Sequence, residues 1–371
     1  MKKVLILGGY GNFGAHISRK LAAEKDLRIV IAGRSQEKCQ QLANELQKSP
    51  NLPLYHALDV HRELDAVLER VAPDIVIHAS GPFQDQGYNV AKACIAHGCH
   101  YVDLADARDF VTNIRSLDEE AKKKGVTVIS GASSVPCLTA ALVDHYLPQF
   151  EKLTDIEYAI STAQRAGLGV ATVAAILSYA GKPFTTLRGG KLEKVYGWLD
   201  TAMHNYPELG LRLHGNCDIP DLALFPERYK SLENIRFHAG QEISLQHIGV
   251  WLMAWMVRLG LIRNLGDHAR TLLNISKKFD FLGSHDSGFY MKLSGIGEEE
   301  QKKDIVFYLI AKSGHGPIIP CTPSVLCAKM LARGEYAMRG ALPCMGIITL
   351  QQYLESLRGL DIKSMEQRLP A

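Results

Sequence analysis

The chain is 371 residues long, 47% hydrophobic and 22% charged, with 42 basic against 39 acidic residues and a net charge of +3. That length suits two or three domains, each large enough to bury a core of its own, and the composition is that of a soluble globular chain. Charge so nearly balanced, with no long basic block, excludes a nucleic-acid partner and leaves small molecules as the expected ligands.

Met1-Lys2-Lys3 leads directly into Val4-Leu5-Ile6-Leu7 without an apolar leader or cleavage site, so the expected location is cytoplasmic. Residues 4–7 read as a strand buried on both faces, and Gly9-Tyr10-Gly11-Asn12-Phe13-Gly14 follows before Ile17, Leu21 and Ala22 at helical spacing. In a strand-to-helix turn, Gly9 allows the tight bend, Gly11 lets backbone approach a pyrophosphate, and Gly14 lets the helix lie against the sheet. The helix N-terminus then favours the anion, and the whole segment is read as a dinucleotide cradle.

The second strand, residues 28–32, ends at Gly33-Arg34-Ser35, where an NAD site usually presents Asp or Glu to the ribose 2′-hydroxyl. Arg34, with Ser35 and Lys38 as further donors, suits a 2′-phosphate instead, so NADP is expected in preference to NAD by roughly tenfold to a hundredfold. Further strands are expected at 54–58, 74–78, 100–104 and 126–130, with helices near 12–24, 36–47, 62–71, 87–97 and 108–124. This rhythm is that of a Rossmann-type, doubly wound α/β domain with a parallel sheet. Asp59 and Val60 then fall at the adenine edge, Ser80-Gly81-Pro82-Phe83 near the nicotinamide ribose and pyrophosphate, and Asp103 at the end of the fifth strand.

The rhythm breaks near residue 136. Leu138, Ala141, Leu142 and His145 share a helical face, followed by a strand at 156–163, a helix at 168–180 and a turn at Gly189-Gly190. An irregular polar stretch is expected from about 200 to 235, then a strand at 305–311 and helices at 324–333 and 349–358. The division read from these patterns is a cofactor domain at 1–135, an α+β substrate and dimerisation domain at 136–320, and a helical tail at 321–371. Packing of that tail on the first domain would link the domains twice and form a cleft. Residues 248–257 are apolar but too few to span a bilayer, and are read as a buried helix or a contact in a homodimer, or else as a peripheral membrane contact. Eight cysteines without a Cys-x-x-Cys pair are expected to be free buried thiols, and no metal site is expected.

Gly9-x-Gly11-x-x-Gly14, Gly81-Pro82-Phe83, His100-Tyr101-Val102-Asp103 and Ser133-Ser134-Val135-Pro136 occur in this order over about 140 residues. Together they make this region resemble the saccharopine dehydrogenase-like oxidoreductases. The resemblance implies use of NAD(P) to oxidise or reduce a carbon–nitrogen bond in amino-acid or polyamine chemistry, or in some members a lipid-linked activity. The chain departs from many relatives at Asp106-Ala107, where they carry glutamate, and at Cys137, where they carry glycine; both departures bear on the substrate.

Hydride transfer needs one group to manage a proton, and Asp103 and His145 are the candidates, against structural readings as a loop brace and a core histidine. Arg165 and Arg188 are candidates for clamping a substrate carboxylate. Cys137 has no recognisable base partner and reads as a small packed residue. The Tyr-x-x-x-Lys spans Tyr88 to Lys92 and Tyr308 to Lys312 fall on the wrong elements for a short-chain dehydrogenase. The expected function is therefore an NADP-dependent oxidoreductase, the alternatives being an inert NADP-binding redox sensor or a reductase of lipid-like enoyl substrates.

Overall fold

The computed structural model describes residues 1–60 and 62–369. The chain forms two compact units, one of Met1–Leu138 with Ile318–Tyr353 and one of Thr139–Pro317 with Leu354 onward. In the first, β1 (Lys2–Leu7) leads to α1 (Asn12–Ala22), β2 (Leu27–Gly33), α2 (Gln36–Glu45), β3 (Leu54–Ala57), α3 (Leu64–Val71) and β4 (Ile75–His78). The alternation continues through α4 (Asn89–Ala96), β5 (His100–Asp103), α5 (Arg108–Thr112), α6 (Asp118–Lys124) and β6 (Thr127–Ser130).

All six strands and the helices between them were legible as patterns, because Val4, Leu5, Ile6 and Leu7, like Ile75, Val76 and Ile77, are wholly buried and read as unbroken apolar runs. α6 shows how local sequence sets a helix's limits: Asp118, Glu119 and Glu120 occupy its first turn, Lys122, Lys123 and Lys124 its last, and left-handed Gly125 ends it. The stretch expected as one helix over 108–124 is divided into α5 and α6 by a 3₁₀ turn at Asn113–Leu117.

The second unit opens with α7 (Thr139–Tyr146), β7 (Lys152–Thr162), α8 (Val170–Ser178), β8 (Pro183–Arg188) and β9 (Lys191–Tyr196). Gly189 and Gly190, both with positive φ, make the β8–β9 turn as expected. The irregular stretch expected over 200–235 is instead ordered as β10 (Ala202–Tyr206), β11 (Gly210–Asn216), α9 (Asp221–Arg228) and the start of β12 (Asn234–Gln241). The reason is that β11 buries polar residues. Arg212 donates to the Glu242 carbonyl at 2.9 Å, His214 lies 3.0 Å from the Tyr206 hydroxyl, and Asn216 donates to Asp200 at 3.0 Å. A polar buried face hides the apolar alternation by which a strand is recognised.

α10 (Ser244–Arg258) and α11 (Ala269–Lys277) come next, then the long antiparallel pair β13 (Ser287–Ile296) and β14 (Lys302–Ala311), of which only β14 was apparent in sequence. α10 contains the 248–257 run. It buries His247, Val250, Ala254 and Val257 while Ile248, Leu252, Trp255 and Met256 are exposed, so the segment is half-buried rather than enclosed. No helix among the described residues is long and apolar enough to cross a membrane.

α12 (Ile318–Arg333) begins six residues before the expected start, and α13 (Leu350–Ser356) lies where a helix was expected. Between them β15 (Gly340–Pro343) adds a seventh strand to the first sheet, and after them β16 (Ile362–Leu369) adds one to the second. These two strands were not visible as patterns, and residues 370–371 of the expected tail lie outside the described residues.

The first sheet runs β15-β6-β5-β4-β1-β2-β3 and is parallel throughout. Its order reverses at β1, so the carboxyl ends of β1 and β4 flank the crevice where such folds bind ligands. The second sheet runs β10-β11-β12-β7-β13-β14-β16, antiparallel except for the β12–β7 pair.

Candidate functional site

The loop after β1 is built by four glycines, not three. Gly8 takes the positive φ of +76°, and a Cβ there would meet Ser80 Oγ at 2.7 Å; Gly9, assigned the bend from sequence, does not have positive φ. Gly9 is required for space, since its Cβ would lie 2.9 Å from the Ile6 carbonyl oxygen, and a Cβ on Gly14 would overlap the Gly8 carbonyl. The signal for Gly8 was present in the Gly8-Gly9 pair. Amides of Gly8 and Gly9 donate to the Ala32 carbonyl at 2.8 and 3.0 Å, Gly11 donates to Gly8 at 2.8 Å, and buried Ser18 donates to the Gly9 carbonyl at 2.9 Å.

Gly11 caps α1 with extended backbone, no side-chain cap and no acidic residue in the first turn. A Cβ on Gly11 would approach only the Gly8 carbonyl oxygen, at 3.1 Å, so that side of the loop is open space. An uncapped helix start beside a side-chain-free loop fits a pyrophosphate, whose oxygens can take the first-turn amides. Asn12 is exposed and Phe13 half-buried at the start of the same helix.

Tyr10 ties this loop to the turn after β2. Its phenol oxygen accepts from the Ser35 amide at 3.1 Å, and its ring occupies the space that a Cβ on Gly33 would need. Ser35 caps α2 by accepting from the Lys38 amide at 3.3 Å. Arg34 is exposed and, among the described residues, has no carboxylate partner; Lys38 stands 6.0 Å from the centre of the Tyr10 ring. Two cations without a carboxylate partner therefore sit at the carboxyl end of β2, where the adenosine ribose is expected.

Asp59 follows β3, its amide donating to Glu63 at 3.0 Å, and Val60 is half-buried against the core. Ser80, Gly81, Pro82 and Phe83 follow β4. The Gly81–Pro82 peptide is cis, and the Gln86 amide side chain, which sequence reasoning missed, fixes the loop by donating to the carbonyls of Ser80 at 2.8 Å and Pro82 at 2.7 Å. Phe83 is buried, edge-on to His78 with ring centres 5.0 Å apart.

Asp103 is wholly buried. One carboxylate oxygen accepts from the Gly131 amide at 2.8 Å, the Ala105 amide at 2.9 Å and the Ser130 hydroxyl at 3.0 Å, bracing the ends of β5 and β6. Burial pushes its carboxyl up to about 6, although those donors favour the ionised form. Cys137 is buried too, and hydrogen bonding from Cys137 and Cys327 pushes the Cys344 thiol well above its ordinary range. All eight cysteines are free and buried.

The remaining candidates belong to the second unit. His145 is exposed at the end of α7, edge-on to Tyr146 at 4.7 Å, which corrects its reading as a core histidine: the helix turns the ring outward. Arg188 already faces Asp200 at 3.4 Å and Glu193 at 3.9 Å. Arg165 donates through Nε to the Asp280 carbonyl at 2.6 Å and lines a cavity that does not include Arg188. The structure thus gathers the cofactor candidates at the carboxyl edge of the first sheet, while the two arginines stand apart from each other.

Residues 4–129 match the model of the saccharopine dehydrogenase NADP binding domain. The matched residues lie wholly within the first unit. The chain is 28% identical over 152 residues to a saccharopine dehydrogenase-like oxidoreductase of Rattus norvegicus, covering 36% of this chain and 35% of that protein. It is also 28% identical over 182 residues to carboxyaminopropylagmatine dehydrogenase of Synechocystis, covering 46% of this chain and 44% of the other. These alignments therefore span less than half of either relative. Over its whole length the chain is similar in fold to saccharopine dehydrogenase (L-Glu forming) from Saccharomyces cerevisiae, with a TM-score of 0.70, 16% identity and all of both chains covered.

Proposed function

We propose that the chain is an NADP(H)-dependent oxidoreductase that moves a hydride to or from a small substrate such as an amino-acid-derived imine or secondary amine. The observation that carries this reading is the open glycine cradle at the start of α1 together with exposed Arg34, which has no carboxylate partner, at the end of β2. The names of the two relatives support it. One is an oxidoreductase, and the other is a dehydrogenase whose substrate name combines carboxyl and amino groups.

In this reading the loop of Gly9, Tyr10, Gly11, Asn12, Phe13 and Gly14 holds the pyrophosphate, and Arg34, Ser35 and Lys38 read the 2′-phosphate. Asp59 and Val60 border the adenine, and Ser80, Gly81, Pro82 and Phe83 border the nicotinamide half. Bound NADP supplies the hydride donor or acceptor. Asp103 acts as a positioning residue that fixes the loops after β5 and β6, because a carboxylate with no exposure and three donors on one oxygen is committed to the backbone around it. Arg165 offers a substrate carboxylate its terminal nitrogens, whereas Arg188 would first have to leave Asp200 and Glu193.

NADPH oxidation by the purified chain, scanned across paired keto acids and amines, tests the proposal. Turnover with one such pair supports it. Tight NADPH binding with no turnover on any pair would replace it with the inert redox sensor.

A further inference from the structure

The second unit holds a half-open cavity of about 670 Å³ lined by α8, α10, α11 and the segment around Phe279 to His285. Interiors of folded proteins seldom leave voids much larger than a water molecule, whereas ligand pockets run from about 300 to 1,000 Å³. A space of this size falls within the range of small-molecule pockets. It is also outside every element that builds the nucleotide cradle.

Its base is apolar and its mouth mixed. Leu177, Trp198 and Val250 line the base and are almost wholly buried, and Val173, Ile176 and Met253 extend the apolar wall. The exposed liners Arg165, Leu245, Ile275, Lys277, Phe281 and His285 mark where it opens, so cations stand beside apolar side chains at the mouth. The carboxylates near the mouth are already committed. Asp280 accepts from the Gln164 side chain at 2.9 Å, and Glu242 accepts from the amides of Gln164 at 2.8 Å and Ser284 at 2.9 Å while facing Arg212 at 3.5 Å. Arg165 and Lys277, among the described residues, face no carboxylate within ion-pair distance. Arg165 is held in place through its Nε, and among the described residues its terminal nitrogens have no partner.

We propose that this cavity binds an alkyl-chain carboxylate, with the chain against Leu177, Trp198 and Val250 and the carboxylate at Arg165 and Lys277. A deep apolar base stabilises a chain by removing it from water, and a forked cation at the rim selects an anionic head over a neutral or cationic one. The site rests on the proposed function only in that Arg165 is the arginine offered there to a substrate carboxylate; its test reads ligand binding alone and stands whether or not the chain turns over NADPH.

Gly249 provides the decisive variant. It lines the cavity from the middle of α10, and a Cβ there would meet nothing within 4 Å, so a large side chain can fill the space without displacing backbone. The full chain is titrated with cis-parinarate, a fluorescent alkyl carboxylate, and the probe is then displaced with dodecanoate, dodecanol or dodecyltrimethylammonium. Expected are saturable binding of one probe per chain, displacement by dodecanoate about tenfold more readily than by dodecanol, and no displacement by the cation. Gly249→Phe and, independently, Met253→Trp abolish probe binding with unchanged circular dichroism and NADPH affinity, and Arg165→Gln weakens dodecanoate but not dodecanol. Absence of saturable binding by the wild-type chain, or undiminished binding by a folded filled variant, overturns the site. Equal affinity for dodecanoate and dodecanol overturns the assignment of the anionic head.

Discussion

The phenol oxygen of Tyr10 accepts a hydrogen bond from the Ser35 amide at 3.1 Å, so one side chain couples the phosphate loop to the turn that carries Arg34. Tyr10→Phe leaves the ring over Gly33 and removes only that acceptor. A hydrogen bond of this kind contributes about 1 kcal/mol, so the NADPH dissociation constant should rise about fivefold with the melting temperature nearly unchanged. An unaltered constant in a fluorescence titration would show that the coupling has no bearing on binding.

Arg34→Ala should weaken NADPH by about tenfold to a hundredfold and NADH by little, since a charge-assisted hydrogen bond to phosphate contributes about 1.5–3 kcal/mol. Calorimetry with both nucleotides separates the cases. Equal losses for the two would remove Arg34 from the 2′-phosphate.

Gly14→Ala places a methyl group on the Gly8 carbonyl oxygen, and neither backbone atom is on a flexible arm. The loop must shift, so nucleotide binding should be lost before the fold is. The check is a melting curve beside a binding titration: a cooperative transition a few degrees lower, with no NADPH uptake.

The Asp103 carboxyl, raised by burial to about 6, imposes a pH dependence whose sign is fixed. The folded chain holds this proton more tightly than the unfolded chain, so stability is undiminished below about pH 4 and falls as pH rises to about 6. The loss amounts to roughly 3 kcal/mol. Asp103→Asn cannot ionise, and the difference between its denaturant-unfolding free energy and that of the wild type should change across pH 4–6 and be flat above. A difference independent of pH throughout that window would contradict the raised carboxyl.

The first sheet was legible because its strands are buried on both faces. Val4 to Leu7 and Ile75 to Ile77 carry no polar interruption, and the glycines after β1 stand at fixed offsets. The second sheet was half legible. β14 is continuously apolar from Ile305 to Ala311, but β11 buries Arg212, His214 and Asn216 in hydrogen bonds that only the folded chain supplies. Residues of the site that touch backbone were the least visible. Gln86 holds its loop through carbonyls and leaves no mark on composition or periodicity, and Gly8, which turns its loop through a positive φ, is marked only by the Gly8-Gly9 pair. His145 shows the converse error, a helical stripe extended one position too far.

β15 pairs with β6 across more than two hundred residues of intervening chain, Gly340 to Pro343 lying beside Thr127 to Ser130. During synthesis, β6 therefore waits as a bare edge while the entire second sheet up to β14 leaves the ribosome, and an unpaired parallel edge is a template for aggregation. Any shortened version ending at residue 138 would keep that edge permanently, so the nucleotide-binding half should be expressed with residues 318–353 supplied, fused or in trans.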